Sequence, residues 1–360
     1  MWSLLQAAYG SYSFEEREDR TPGILDPITC ARRLRKDELK RIRAAARACG
    51  LFFAVEMITI LIDDQKLMSL FHPDGPRQIR YTNVKYTEHF KQLESFCLLE
   101  EETQPEKIKF FSTYFSVPKS EPVGADRAIF NGKKLGEHFS PPPSTNLADV
   151  PRILKEIKKI SDESPNGLSF VSGDFRHFFH QLEVSESSSS LFGLALAGKG
   201  KVGPRFFRYR GMPMGWCFSP IIAQSVSWAV LTHHEREEKN YFEIPETGLE
   251  NPPMFLFIKD GEKIVGLMTV YYDNYLVCTA DDQMAKDISA RILRNAKHFG
   301  VVIKEHFCWT TEQLTLLDPE TGTRCVAPPD NQIPHEPGAK PKKCEIFTFL
   351  GVEIAYIMQR

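Results

Sequence analysis

The sequence has no cysteine pair at CxxC spacing. Its eight cysteines are scattered at positions 30, 49, 97, 217, 278, 308, 325 and 344. That distribution excludes a dense disulfide framework and suits free thiols in a reducing compartment. The grouping His306, Cys308, Cys325 and Cys344 holds metal-ligating side chains, but its spacing matches no zinc signature. An excess of one charge is also missing: 45 Lys and Arg stand against 47 Asp and Glu, a formal net charge of -2. No global basic field therefore announces a nucleic-acid partner, and any such binding has to come from local patches. No apolar run is long enough to cross a bilayer; the longest, LFFAVEMITILI at 51–62, is interrupted by Glu56. The opening MWSLLQAAYG lacks a basic n-region and soon turns acidic, unlike a signal peptide. These absences lead to the expectation of an intracellular protein, cytoplasmic or nuclear, with no membrane partner. There are no internal repeats. The 42% hydrophobic content of the 360 residues is ample for one large domain or two small ones.

What is present alternates between strand-like and helix-like segments. Residues 29–50 read as a helix crowded with Arg and Lys and ending at Gly50, either a solvated face or a phosphate-contacting arm. Alternation at 109–117 and the short run at 128–130 read as two strands around a Gly- and Pro-rich loop. Leu147, Val150, Ile153, Leu154, Ile157 and Ile160 form one helical stripe across 147–161. A buried strand is expected at 168–175 and a strand pair at 191–197 and 205–209. Beyond them, 221–231 reads as a helix mostly buried on one side. Residues 232–262 are polar and proline-punctuated, which suggests an insertion. A hairpin follows at 264–270 and 275–279 with YYDN at its tip, then a helix at 281–298 and a short strand at 301–303. Residues 310–343 read as loop, and 346–356 as a final strand pair turning at Gly351.

Two acidic residues stand where acid is expensive. Asp174 ends the buried strand and Asp273 sits at the hairpin tip, and a carboxylate in such a place needs a partner. Each alone is read most simply as a turn residue at a strand end. If the two strands are neighbours, the carboxylates converge into the oxygen-ligand set that holds Mg²⁺ beside substrate phosphates.

The motifs around these residues resemble those of reverse transcriptases. SGDFRHFFHQLEV (172–184) is similar to that family's first catalytic motif, GMPMGWCFSPIIAQ (211–224) to its Pro-x-Gly turn, and YYDN (271–274) stands at its Tyr-x-Asp-Asp. SVPKSEPVGADRAIFNGKKLG (116–136) resembles its fingers hairpin, and FTFLGVEI (347–354) its primer grip. The matches run in sequence order over roughly residues 110–354, and the His-Gln pair is most like long-terminal-repeat or tyrosine-recombinase-type retrotransposons. The resemblance implies an α+β chain folded as the fingers and palm of a right-hand polymerase, with an antiparallel palm sheet backed by helices. Its expected division is an N-terminal extension at 1–105 containing the basic helix 29–50, fingers at 106–168, palm at 169–307, a loop insertion at 308–344 and the primer-grip pair at 345–360. The fingers would return near 186–210 and an insertion lie near 232–262.

The same resemblance implies RNA-directed DNA synthesis, a nucleotidyl transfer from dNTPs to a primer 3′-hydroxyl with two Mg²⁺ or Mn²⁺ ions. Asp174, Asp273 and Asn274 would form the catalytic set, with Asp174, Asp273 and the Phe175 carbonyl as metal ligands. Lys119, Arg127, Phe179, Met214 and Gly215 would meet the nucleotide, and Phe349, Leu350 and Gly351 the primer end. Phe179 is either a steric gate against a ribose 2′-hydroxyl or core packing, and Lys119 either a phosphate ligand or surface charge. A gate at Phe179 disfavours an RNA-dependent RNA polymerase. The expected partners are an RNA/DNA template-primer and dNTPs, together with the thumb and RNase H domains of a longer polyprotein, for which this sequence shows no counterpart.

Three departures are plain. Asn274 replaces the second aspartate of Tyr-x-Asp-Asp, as in some negative-strand RNA polymerases. Phe307 stands where the family has a proton-donating lysine, with Lys304 and His306 as nearby substitutes. Met214 replaces a common glutamine. Asn274 and Phe307, with the lack of a thumb counterpart, keep a second expectation open, a catalytically silent chain of the same fold that binds nucleic acid or protein.

Overall fold

In the computed structural model, residues 21–22, 33–118, 125–244, 252–311, 330–333, 347–349 and 352–354 are described. Their strands form two seven-stranded sheets and one two-stranded sheet, with helices between and around them, a mixed α+β architecture.

The first sheet is mixed. Its order is β1 (Thr21–Pro22), β5 (Ala125–Asn131), β4 (Phe111–Pro118), β7 (Gly193–Leu196), β8 (Arg205–Tyr209) and β3 (Leu99–Glu101), with β2 (Tyr81–Thr82) also on β7. The strands expected at 109–117 and 128–130 form the hairpin β4–β5, which pairs Val117 with Arg127.

The second sheet is antiparallel throughout and carries the acidic strand ends. Its order is β14 (Asp330–Ile333), β13 (Ile303–Trp309), β6 (Ser169–Phe175), β12 (Asn274–Thr279), β11 (Lys263–Tyr271), β10 (Leu256–Asp260) and β9 (Phe242–Glu243). Its central strands are apolar on both faces because both are covered. Val171, Met268, Val270, Tyr275 and Val277 enter the main core, where the Ser219–Thr232 and Asp282–Phe299 helices pack. Their alternates Phe170, Leu267, Leu276 and Cys278 enter a second cluster with Ile153, Ile157 and Ile160 of the Val150–Asp162 helix. The period of two along each strand thus divides one sheet between two cores.

Several sequence expectations are corrected. The basic helix runs Lys36–Ala48, while residues 33–35 are extended; Leu34 N–H donates to Gln181 O and Glu183 N–H to Leu34 O. The helix begins where it does because the Glu38 carboxylate accepts the Arg35 N–H at 3.1 Å. Positions 29–32 lie outside the described residues. Leu39, Ile42, Ala45 and Ala46 make its buried face, and Lys40 and Arg41 pair with acids on their own helix. Leu154 leaves the expected stripe and is 42% exposed. The Ser219–Thr232 helix is buried nearly all round, because it meets the second sheet on one side and the Lys36–Ala48 and Phe52–Ile62 helices on others.

Residues 232–262 are not simply an insertion, since β9 and β10 extend the second sheet. The strand expected at 301–303 instead occupies Ile303–Trp309 along β6, and Asp330–Ile333 within the expected loop pairs with it. The final pair is β15 (Phe347–Phe349) with β16 (Val352–Ile354). Among the described residues no helix is long and apolar enough to cross a membrane.

Candidate active site

The register of β6 against β12 decides the geometry. Asn274 is the cross-strand partner of Asp174, and Phe175 N–H donates to Asp273 O at 3.0 Å. Asp174 and Asp273 therefore meet at one end of the two central strands, as their positions at strand ends suggest.

The tip of the hairpin is tight: Tyr271 pairs with Asn274, leaving Tyr272 and Asp273 as the turn. Tyr272 takes a φ of 59°, left-handed backbone that an L-residue adopts only when its surroundings hold it there. The restraint comes from the buried Ser219–Thr232 helix. Gln224 Oε1 accepts the Tyr272 N–H at 2.7 Å, Gln224 Nε2 donates to Val270 O at 2.8 Å, and the Ser227 hydroxyl donates to Tyr272 O. Sequence reading passed over both residues; the available signal was two uncharged polar side chains, three apart, inside a helix otherwise too apolar to leave them in water.

Electrostatics at the tip are unbalanced. Burial, followed by the neighbouring Asp174 charge, pushes the Asp273 carboxyl up to about 7, against a smaller lowering by the Asn274 amide. Asn274 Nδ2 donates to Asp273 Oδ1 at 3.2 Å. Asp174 meets a cation: Lys304 Nζ lies 2.9 Å from Asp174 Oδ2 and 3.0 Å from Glu305 Oε1. Burial works to lower the lysine's pKa, yet the two carboxylates outweigh it and hold the ammonium above its ordinary value. Lys304 and Glu305 come from β13, where Glu305 is the cross-strand partner of Asp174. Of the two substitutes for the family's lysine, Lys304 reaches the aspartate.

His306 does not reach it. It is fully buried, with Nδ1 2.7 Å from Tyr275 Oη and Nε2 2.7 Å from Ser289 Oγ, and burial lowers its pKa to about 4. This leaves no room for a metal at His306. Cys308 is buried in the core, and Cys325 and Cys344 lie outside the described residues. Phe307 stacks on Trp309. Gly173 has a concrete reason to be glycine, since a Cβ there would stand 2.2 Å from Tyr275 Oη and 2.7 Å from Glu305 O.

A second close approach sets the nucleotide-side residues named from the sequence. Gly215 has a φ of 116°, and a Cβ on it would lie 2.1 Å from Phe130 O; one on Gly132 would lie 2.3 Å from Gly215 O. Phe130 N–H donates to Met214 O at 3.2 Å. The GMPMG turn is thereby pressed against the end of β5, the strand that carries the exposed Arg127. Phe179 is only 8% exposed and belongs to the main core, and Phe175 is buried in the same core against Phe178 and Tyr275. Gln181, read in the sequence only as half of the His-Gln pair, ties Arg176 O and Val302 O together through Nε2 and accepts the Val302 N–H. It fastens the chain leaving Asp174 to the chain entering β13. Phe349 pairs with Val352 in the final hairpin; Lys119, Leu350 and Gly351 lie outside the described residues.

Among the described residues no cluster of three or more His, Cys, Asp or Glu converges on a metal position. The donor set at the tip is a pair of carboxylates with an amide beside it. Mg²⁺ is commonly held by one or two carboxylates plus substrate phosphates, so the pair fits a hard cation that arrives with a phosphorylated ligand. In comparison with known proteins, no protein-family model and no curated sequence matches the chain.

Proposed function

We propose that the chain is the fingers and palm of a retroelement RNA-directed DNA polymerase, with Asp174 and Asp273 as its metal-binding carboxylates. The observation that carries this reading is the register pairing Asn274 with Asp174, which brings two half-buried acids together, one at the end of a central strand and one at the adjoining hairpin tip of an antiparallel sheet. A buried carboxylate pair repels itself, as the raised Asp273 carboxyl reflects, and is relieved by a cation. When bound there, Mg²⁺ or Mn²⁺ supplies Lewis-acid stabilisation of phosphate oxygens and lowers the pKa of a coordinated hydroxyl. The protein's own part is positioning: Gln224 and Ser227 fix the turn that presents Asp273, and Gly215 brings its backbone against β5, where Arg127 faces solvent. The substrates on this reading are dNTPs and an RNA/DNA template-primer.

A specific contact favours a second reading, a catalytically silent chain of the same fold. Both carboxylates already have protein partners: the Lys304 ammonium for Asp174 and the neutral Asn274 amide for Asp273. Primer extension on an RNA template with Mg²⁺ or Mn²⁺ separates the two. The polymerase reading expects dNTP incorporation that falls by at least about 100-fold in Asp174→Asn and in Asp273→Asn, more than loss of a supporting residue around a metal site costs. Absence of incorporation by the native chain and by Asn274→Asp, each shown to be folded, favours the silent reading. Faster use of rNTPs than dNTPs contradicts a gate at Phe179.

A further inference from the structure

Lys304 occupies an unusual place for a lysine. Its ammonium bridges Asp174 Oδ2 at 2.9 Å and Glu305 Oε1 at 3.0 Å, and the three side chains are only 32%, 16% and 26% exposed. Charges this sheltered are screened weakly, so the bridge holds more tightly than a surface pair. Asp174 is also the carboxylate whose charge raises the Asp273 carboxyl, so the ammonium and any divalent ion entering the tip draw on the same negative side chain. The ammonium at 2.9 Å already neutralises this carboxylate, so a divalent ion approaching Asp174 meets both a weakened counter-charge and a nearby positive charge. We infer that Lys304 is a tethered counter-ion for Asp174 that competes with a divalent cation and yields to it, so that this lysine sets the affinity of the site for metal.

Glu305 makes the displacement reversible. Once Asp174 turns to a metal, the ammonium retains its contact with Glu305 and is not left buried without a partner. The bulge of β13 between Ile303 and Glu305 puts Lys304 at the irregular step of the ladder. The lysine is therefore a positioning residue that acts through Asp174, and it partly neutralises the tip in the absence of metal. This inference rests on the assignment of Asp174 and Asp273 as cation ligands.

Titration of the full chain with Mn²⁺, followed by electron paramagnetic resonance at one fixed pH without nucleotide, tests it. Lys304→Met should tighten the Mn²⁺ dissociation constant by about tenfold or more, the factor that 1.4 kcal/mol supplies. Lys304→Arg, which keeps the charge, should stay within about threefold of the native chain, and Lys304→Gln should follow Met. A purely structural lysine would not separate Arg from Met and Gln in this way. Unchanged affinity in Met and Gln, with binding still lost in Asp174→Asn, overturns the counter-ion role and leaves the cation site standing. No Mn²⁺ bound by the native chain or either neutral variant brings down both. Failure of both neutral variants to fold, judged by circular dichroism, also overturns it, because a lysine whose loss unfolds the chain is a brace.

Discussion

Asp273 carries the most perturbed acid at the tip, and its protonation is linked to stability. An unfolded aspartate titrates near about 3.9, whereas burial and the Asp174 charge raise the folded group to about 7. Between those values the folded chain keeps a proton that the unfolded chain has released. The contribution of Asp273 to stability is therefore fully present at acidic pH and is lost as pH rises through about 7. Asp273→Asn removes the ionisation while keeping an amide of nearly the same shape. In metal-free buffer with a chelator, its melting temperature relative to the native chain should rise steadily from about pH 5 to about pH 8. A difference that stays flat across that range, or falls, contradicts the assignment. Added Mg²⁺ should erase part of the gain at the alkaline end, because a bound cation favours the ionised native carboxylate.

The Ser219–Thr232 helix shows how one element can carry both packing and function. Its apolar residues fill the main core, and Gln224 and Ser227 spend their polarity on the Tyr272 turn. Gln224→Met keeps the volume but leaves the Tyr272 N–H and the Val270 carbonyl unpaired. At about 1–3 kcal/mol for each of the two buried groups left unsatisfied, the variant should lose roughly 2–6 kcal/mol in urea unfolding. Gln224→Glu can still accept from Tyr272 but cannot donate to Val270, so it should be destabilised as well; a variant as stable as native would show that the turn does not depend on the helix. Elements like β6 and the β11–β12 hairpin were legible in the sequence because burial on both faces leaves an unbroken apolar run with an acid at its end. β13 was not: Lys304, Glu305 and His306 interrupt the pattern, and their partners Asp174, Tyr275 and Ser289 are 17 or more positions away in sequence. β9 and β10 were hidden for a different reason, being short strands among prolines whose place is set by pairing with β11. The acidic pair was readable from strand ends, but the lysine between Asp174 and Glu305 depends on a register that only the folded sheet supplies.

Across the molecule, the two large sheets share one core. Phe130, Leu194, Phe207 and Tyr209 of the first sheet belong to the same buried cluster as Val171, Phe175, Tyr275 and Val277 of the second. The Ser219–Thr232 and Phe52–Ile62 helices join that cluster, so neither sheet buries its inner face without the other. The close approach of Gly132 and Gly215 adds a backbone junction that tolerates no side chain. Such a shared interior should couple the sheets into one cooperative unit. Phe207→Ala in the first sheet and Val277→Ala in the second both open cavities in that core. The first should cost about 3–5 kcal/mol and the second less, in proportion to the smaller volume removed. In urea, tryptophan fluorescence and far-ultraviolet circular dichroism should report one coincident transition for the native chain, and each substitution should move that single transition to lower denaturant. Trp216 and Trp228 lie in the shared core while Trp309 lies in the second cluster, so the fluorescence samples both sides of the second sheet. Two separated transitions, with each variant shifting only one of them, would mean that the sheets unfold independently and that the junction at Gly215 is a hinge between separate folding units.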